Sequence, residues 1–204
     1  MGVIIGISGK IGSGKDTVAQ YIIDNMQLFK FQQKSFAYNL KHISAIISGK
    51  SVDSMFTQEG KNVKLPMYND ISVGELQQII GTDLFREEFD EDVWIKSLFA
   101  SYDKANDNWV VSDVRFENEA ETIRKMGGIL VRLEGDPTGI RANSNRNMNH
   151  ASETDLDDYE HFDIVFRTEP GTEKLAKLTT ALGRIMFDKL SGNDDLEMQT
   201  RYII

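Results

Sequence analysis

Residues 9–17 read Gly9-Lys10-Ile11-Gly12-Ser13-Gly14-Lys15-Asp16-Thr17 and fit the pattern G-x-x-x-x-G-K. An apolar β-branched run precedes them and helical spacing follows, the context this pattern requires. Glycines let the backbone wrap closely around phosphate oxygens and aim its N–H groups inward. The helix N-terminus adds partial positive charge, and Lys15 adds a full one. The plain alternative is a glycine-rich strand-to-helix turn; strand, spacing and lysine agree on a phosphate cradle built by Gly9, Lys10, Gly12, Ser13, Gly14, Lys15, Asp16 and Thr17. After the lysine such cradles ordinarily place Ser or Thr on a magnesium ion. Here the residue is Asp16, a hard oxygen donor able to hold Mg²⁺ directly or through water. It also reads as a first-turn acid complementing the helix dipole. Thr17, one place on, offers its hydroxyl to a phosphate.

Three further groups carry chemistry. Asp113 ends the run Trp109-Val110-Val111-Ser112-Asp113, so a buried strand would present it at the edge where α/β sheets bind ligands. There it suits Mg²⁺ through water or a substrate hydrogen bond, unless it caps the helix starting near Phe116. Arg115, two residues on, is within reach of a transferring phosphate. In the acidic stretch 81–90, Arg86 is either a fork-shaped donor to a second substrate's monophosphate or the partner of Glu87 or Asp90. Lys41 is another candidate for that phosphate. Residues 136–149 form a polar, Asn-rich stretch with Arg141 and Arg146, either a solvated loop or a lid closing over phosphates. His150 follows it, with no second histidine at metal spacing.

The elements must bring these groups together. Buried strands are expected at 3–7, 109–111, 128–133 and 161–166, with a weaker one at 34–37. Helical spacing links Val18, Ile22 and Met26; Leu40, Ile43 and Ile47; Phe116, Ala120 and Ile123; and Leu175, Leu178, Leu182 and Ile185. Shorter helices fit 74–80 and 92–102, residues 48–71 read as loops and turns, and the last dozen residues as a loosely attached tail. Alternating strands and helices predict a mainly parallel five-stranded sheet flanked by helices.

Composition narrows the classes. The chain has 204 residues, enough for one α/β domain with an insertion, and no cysteine, which excludes disulfides, thiolate metal sites and cysteine nucleophiles. A net charge of −9, from 32 acids and 23 bases, speaks against nucleic-acid polymers and anionic membranes while permitting a local basic pocket. No apolar run reaches membrane length. The first residues lack a secretory leader, and Gly6 stands where myristoylation wants Ser or Thr, so the expected location is the cytoplasm (a host's, if viral).

Gly12 to Thr17, Phe36-Ala37 before Leu40-Lys41, Gly81-Thr82-Asp83-Leu84, Asp90 with Trp94, 110–115, and His150 to Glu153 occur in this order. The set resembles the deoxynucleoside monophosphate kinases of the bacteriophage type, P-loop proteins related to adenylate kinase, from residue 1 to the terminal helix. Asp16 is no departure within that group. The resemblance implies transfer of the ATP γ-phosphoryl group to a deoxynucleoside monophosphate with Mg²⁺, in line and without a covalent intermediate. It implies an α/β P-loop kinase fold with a core (1–37, 106–135, 153–190), a helical monophosphate-binding insertion (38–105), a lid (136–152) and a tail (191–204). Lys15, Arg115, Arg141 and Arg146 would stabilise the moving phosphoryl. Asp16 and Asp113 would hold Mg²⁺ mostly through its waters. Phe36, Lys41, Asp83, Arg86, Trp94, Asp113, His150 and Glu153 would surround the acceptor. A homodimer stays open. The rival readings are a same-fold kinase for a non-nucleotide phosphate such as phosphomevalonate, and a nucleotide-binding module without transferase activity. Base stacking on Trp94 or Phe36 would favour the nucleotide.

Overall fold

The structure, a computed structural model, describes residues 2–137, 139, 150–171, 173–191 and 202–203. The apolar N-terminal run forms β1 (Ile4–Gly9), buried throughout because strands flank it and helices cover both faces. The other strands are β2 (Gln32–Lys34), β3 (Lys64–Leu65), β4 (Ile71–Ser72), β5 (Trp109–Val114), β6 (Ile129–Glu134), β7 (Ile164–Arg167) and β8 (Tyr202–Ile203). The main sheet runs β2-β5-β1-β6-β7-β8, every pair parallel, while β3 and β4 form a separate antiparallel ladder. Four of the expected core strands are present. The one expected at 34–37 lies earlier, at Gln32–Lys34, because residues 35–37 turn to hydrogen-bond Asp113. The tail supplies a sixth strand through Tyr202 and Ile203, so its end is tied to β7.

Eight α-helices are described: α1 (Lys15–Asn25), α2 (Tyr38–Ser48), α3 (Gln58–Asn62), α4 (Val73–Gln78), α5 (Val93–Phe99), α6 (Glu117–Lys125), α7 (Ala151–Thr154) and α8 (Leu175–Leu190). Alternation along β1 sorts the core. Ile5 and Ile7 face Val18 and Ile22 of α1 and Leu178 and Leu182 of α8. Ile4 faces the other way, toward Trp109, Leu130, Ile123 of α6 and Trp94 of α5. Fully burying each such aliphatic side chain is worth about 1.5–3 kcal/mol, which fixes the layers around the central strands.

Between β2 and β5 the chain builds a smaller body with its own core of Ala45, Met55, Leu65, Val73, Leu76 and Ile80. Residues 48–71, expected as loops, also contain α3 and the β3–β4 ladder. They escape a periodicity argument because each segment is shorter than two periods of its own element. The expected helix at 74–80 ends at Gln78 and continues as a π-helical turn, Ile79–Leu84.

Candidate active site

The glycine-rich segment leaves β1 and enters α1 through left-handed backbone at Gly12 (φ 80°) and Gly14 (φ 84°), where any side chain would be strained. Gly9 is required by proximity: a Cβ there would lie 2.8 Å from the Leu133 carbonyl oxygen. Gly14 caps α1 without a side-chain hydrogen bond, leaving the helix's first N–H groups for an anion. The Ser13 hydroxyl is buried without a hydrogen-bond partner in the protein. Lys15 Nζ donates to the carbonyls of Gly9 (2.5 Å) and Lys10 (3.0 Å). Burial, reinforced by the Arg115 charge, pulls Lys15 from its usual 10.5 to about 7. Lys10 turns away and pairs with Asp157 at 2.6 Å.

β5 ends beside this cradle. Gly6 pairs with Val111 but Ser8 pairs with Val114, so β5 carries one residue more than β1, a bulge at Ser112–Asp113. Ser112 Oγ donates to Asp16 Oδ1 (3.0 Å), and Gln33 Nε2 donates to both Ser112 Oγ (3.0 Å) and Asp16 Oδ1 (3.2 Å). Asp113 accepts from Ser35 Oγ (2.6 Å), Phe36 N (2.8 Å) and Ala37 N (3.0 Å). It therefore organises the turn entering α2 and does not cap the following helix; the Phe116 N–H donates to Glu119 (3.1 Å).

Arg115 is gripped at both ends. Its backbone N–H donates to Glu119 Oε2 (2.8 Å), and its guanidinium to Glu153 Oε1 (2.6 Å) and the Ser152 carbonyl (3.0 Å). Arg86 is buried, stacks 3.7 Å over the Phe116 ring and donates to Glu119 (3.3 Å) and Asn118 (2.6 Å). Burial pushes Glu119 up to about 7 against the opposing Arg86 charge.

A cavity of about 900 Å³ joins the cradle to the insertion. Of the residues singled out from sequence, Lys15, Asp16, Phe36, Lys41, Trp94, Asp113 and Arg115 line it, whereas Asp83, Arg86, His150, Glu153, Gly9, Lys10 and Gly12 do not, and Ser13, Gly14 and Thr17 face a second cavity instead. Arg86 and Glu153 are held back by the ion pairs just described. His150 caps α7, accepting from the Ser152 N–H (3.2 Å), with Nε2 3.8 Å from Asp83. Arg141 and Arg146 lie outside the described residues. Lys41 Nζ stands 4.1 Å over the Phe56 ring. Trp94 is fixed by the π-helical turn: Phe85 N–H reaches back to Ile80 and Arg86 N–H to Thr82, while the Gly81 carbonyl between them accepts from the indole Nε1 at 2.8 Å.

Sequence reasoning missed Gln33, Ser35 and Ser112, which orient the two aspartates, and Gln78, which lines the cavity with a buried Nε2 lacking a partner. Nothing in their spacing marks them. Glu119 carries only half of a capping signature, since Phe116, three places before it, has no side-chain acceptor. A second cavity of about 330 Å³ lies on the other side of the loop, walled by Gly14, Val18, Pro137, Phe166, Pro170 and Leu175 among others. Among the described residues no three acidic or histidine side chains group as a metal cage, and no helix is long and apolar enough to cross a membrane.

Comparison with known proteins gives these features a context. Residues 34–178 match the family model described as deoxynucleotide monophosphate kinase. A deoxynucleotide monophosphate kinase assigned in Acanthamoeba polyphaga mimivirus is 33% identical over 178 residues, covering 80% of this chain and 86% of that protein. The deoxynucleotide monophosphate kinase of Enterobacteria phage T4 is 26% identical over 216 residues, covering 75% and 87%. Among solved structures, a gluconokinase from Sinorhizobium meliloti 1021 aligns with a TM-score of 0.45 and 13% identity, covering 96% of this chain and 98% of that one.

Proposed function

The chain belongs to the deoxynucleotide monophosphate kinase family, and from that premise we propose that it moves the γ-phosphoryl group of ATP, in line, onto a deoxynucleoside monophosphate. The observation that carries this reading is the cavity running from Lys15 and Arg115 to the aromatic walls made by Phe36 at the end of the core segment and by Phe56 and Trp94 of the insertion. One continuous space lined by both cations and rings, with Lys41 over the Phe56 ring, suits an acceptor nucleotide whose phosphate meets the donor's at Lys15 and Arg115. The apolar second cavity beside Gly14 suits the base of the donor. In this reading residues 1–37, 106–135 and 153–190 are the core, 38–105 binds the acceptor, 136–152 is the lid and 191–204 the tail.

Phosphoryl transfer asks the protein for position and positive charge, with no covalent chemistry of its own. The backbone N–H groups at 12–17 and the Ser13 hydroxyl hold the donor's phosphates. Lys15 leaves the Gly9 and Lys10 carbonyls to follow the phosphoryl group, and Arg115 neutralises it from the β5 side. Lys41 meets the acceptor phosphate, and Trp94 and Phe36 flank its base. Arg86 braces Glu119 behind this wall.

The donor set fits magnesium. Asp16, Ser112 and Asp113 offer only hard oxygen, and one or two carboxylates plus substrate phosphates is how Mg²⁺, which keeps its own waters, is usually held. Asp16 and Asp113 would hold the ion, and when bound it supplies charge neutralisation across the donor's phosphates.

A coupled assay of ADP release across the deoxy- and ribonucleoside monophosphates, with and without EDTA, tests the reading. Turnover confined to deoxynucleotides, lost with chelator and reduced by orders of magnitude in Lys15→Ala, is the expected result. Turnover of a phosphorylated metabolite such as phosphomevalonate, with none of any nucleotide, would transfer the site to the rival kinase reading. ATP binding without any transfer would make it a nucleotide-binding module.

A further inference from the structure

Glu153 is nearly sealed from solvent, with 1% of its side chain exposed, and is absent from the cavity wall. Its two carboxylate oxygens serve two different elements. Oε1 takes the Arg115 guanidinium at 2.6 Å, and Oε2 takes the Ile11 backbone N–H, inside the phosphate cradle, at 3.3 Å. Its own place is set locally: its N–H donates to the His150 carbonyl at 2.8 Å, and His150 caps the short helix α7 that carries it. The Ser152 carbonyl adds a second acceptor for the same Arg115 nitrogen at 3.0 Å.

We propose that Glu153 is a positioning residue for phosphoryl transfer, tying the Arg115 guanidinium to the phosphate cradle without touching either nucleotide. The inference rests on the kinase reading of the cavity. An unrestrained arginine samples many rotamers, and an attack geometry tolerates little misplacement, so orientation fixed in advance lowers the barrier at the chemical step. The carboxylate also spans the seam between cradle and β5, so it links the spacing of Arg115 from the bound phosphates to the cradle itself, which the Ser152 carbonyl does not.

A double-mutant cycle on the full chain decides it. Glu153→Gln keeps the size, removes the charge and replaces one of the two acceptor oxygens with an NH2 that can accept from neither Arg115 nor the Ile11 N–H; Glu153→Asp keeps the charge and shortens its reach; Arg115→Ala removes the group acted upon. We expect Glu153→Gln to lower kcat by about tenfold or more with KM for the acceptor within about threefold, and Glu153→Asp to recover part of the loss. In the Arg115→Ala background the same Glu153→Gln change should alter kcat by less than about twofold, because its effect travels through Arg115. Losses that multiply, or a raised acceptor KM with kcat intact, would overturn the proposal and return Glu153 to the substrate. Should Glu153→Gln fail to fold, Glu153→Asp run against Arg115→Lys gives the same cycle. ADP affinity by calorimetry supplies a readout without turnover. Sub-additive losses of ADP affinity support the tie even if no deoxynucleotide is turned over, an outcome that would refute the kinase reading alone; additive losses refute the tie itself.

Discussion

Lys15 should link nucleotide binding to proton uptake. In the ligand-free protein burial and the Arg115 charge hold it at about 7, far below its ordinary 10.5. At pH 8 roughly one molecule in ten therefore carries the charge. A bound polyphosphate returns the ammonium toward its ordinary range, so binding at pH 8 takes up about 0.9 proton, and at pH 6 about 0.1. Between about pH 7 and 10 the affinity for ADP should fall by roughly tenfold, about 1.4 kcal/mol, per pH unit. Titration calorimetry in buffers of different ionisation enthalpy, above pH 8 where a terminal phosphate is already fully charged, counts the protons directly. Lys15→Met should abolish the uptake. The same group leaves an opposite mark on folding. Its pKa is lowered in the native state, so between about 7 and 10.5 the unfolded chain binds more protons and native stability from this lysine rises with pH. Urea unfolding at pH 7 and 9 reads that sign. Buffer-independent heats, or affinity flat across the window, would refute the reasoning.

Arg86→Ala strands the buried Glu119 carboxylate and should cost about 3 kcal/mol in urea unfolding at pH 8, less at pH 5 where Glu119 takes a proton. A tenfold rise in acceptor KM with stability unchanged would instead place Arg86 on the acceptor. Asp113→Ala removes the acceptor shared by Ser35, Phe36 and Ala37 and should destabilise by about 2–4 kcal/mol, with faster hydrogen exchange at the Phe36 and Ala37 amides. Gln78→Met removes a buried donor without a partner, so it should stabilise the ligand-free protein by about 1 kcal/mol while raising the acceptor KM.

The sheet, the cradle and the order of the large helices were readable because each rests on a local rule: a β-branched buried run, glycine at left-handed backbone, apolar residues every three or four positions. Lys15, Asp16, Asp113 and Arg115 were readable for the same reason, since strand ends fix where they emerge. What stayed hidden was commitment. Asp113 looks from sequence like a metal ligand or a helix cap, and only the placement of β2 beside β5 shows the turn at 35–37 using three of its lone-pair sites. Arg86 sits among Glu87, Glu88 and Asp90 in the chain, yet its partner Glu119 lies 33 residues away. Pairings at that separation depend on packing, which no spacing rule carries. The bulge at Ser112–Asp113 and the π-helical turn at 79–84 are likewise departures from period, and both sit beside the cavity.

On the kinase reading a chain of charge −9 must receive two polyanions, and the charges lining the cavity allow it. Lys15, Lys34, Lys41, Lys61 and Arg115 line the main cavity against Asp16, Asp113 and Glu119; with Lys15 and Glu119 each only partly ionised near pH 7, basic groups still outnumber acidic ones and the local sign is reversed. The carboxylates are not set facing the phosphates as bare charge. Each accepts hydrogen bonds from the scaffold: Asp16 from Gln33 and Ser112, Asp113 from the turn before α2, Glu119 from Arg86 and the backbone at 115–116. Carboxylates bound in this way hold donors at fixed positions, which cations alone would not do because they repel one another. Removing one should therefore disorder the site more than it lowers the repulsion felt by phosphate. Asp113→Ala tests this directly: although it removes a negative charge, it should weaken binding of the acceptor monophosphate. Tighter binding would show that the charge, and not the scaffold, governs.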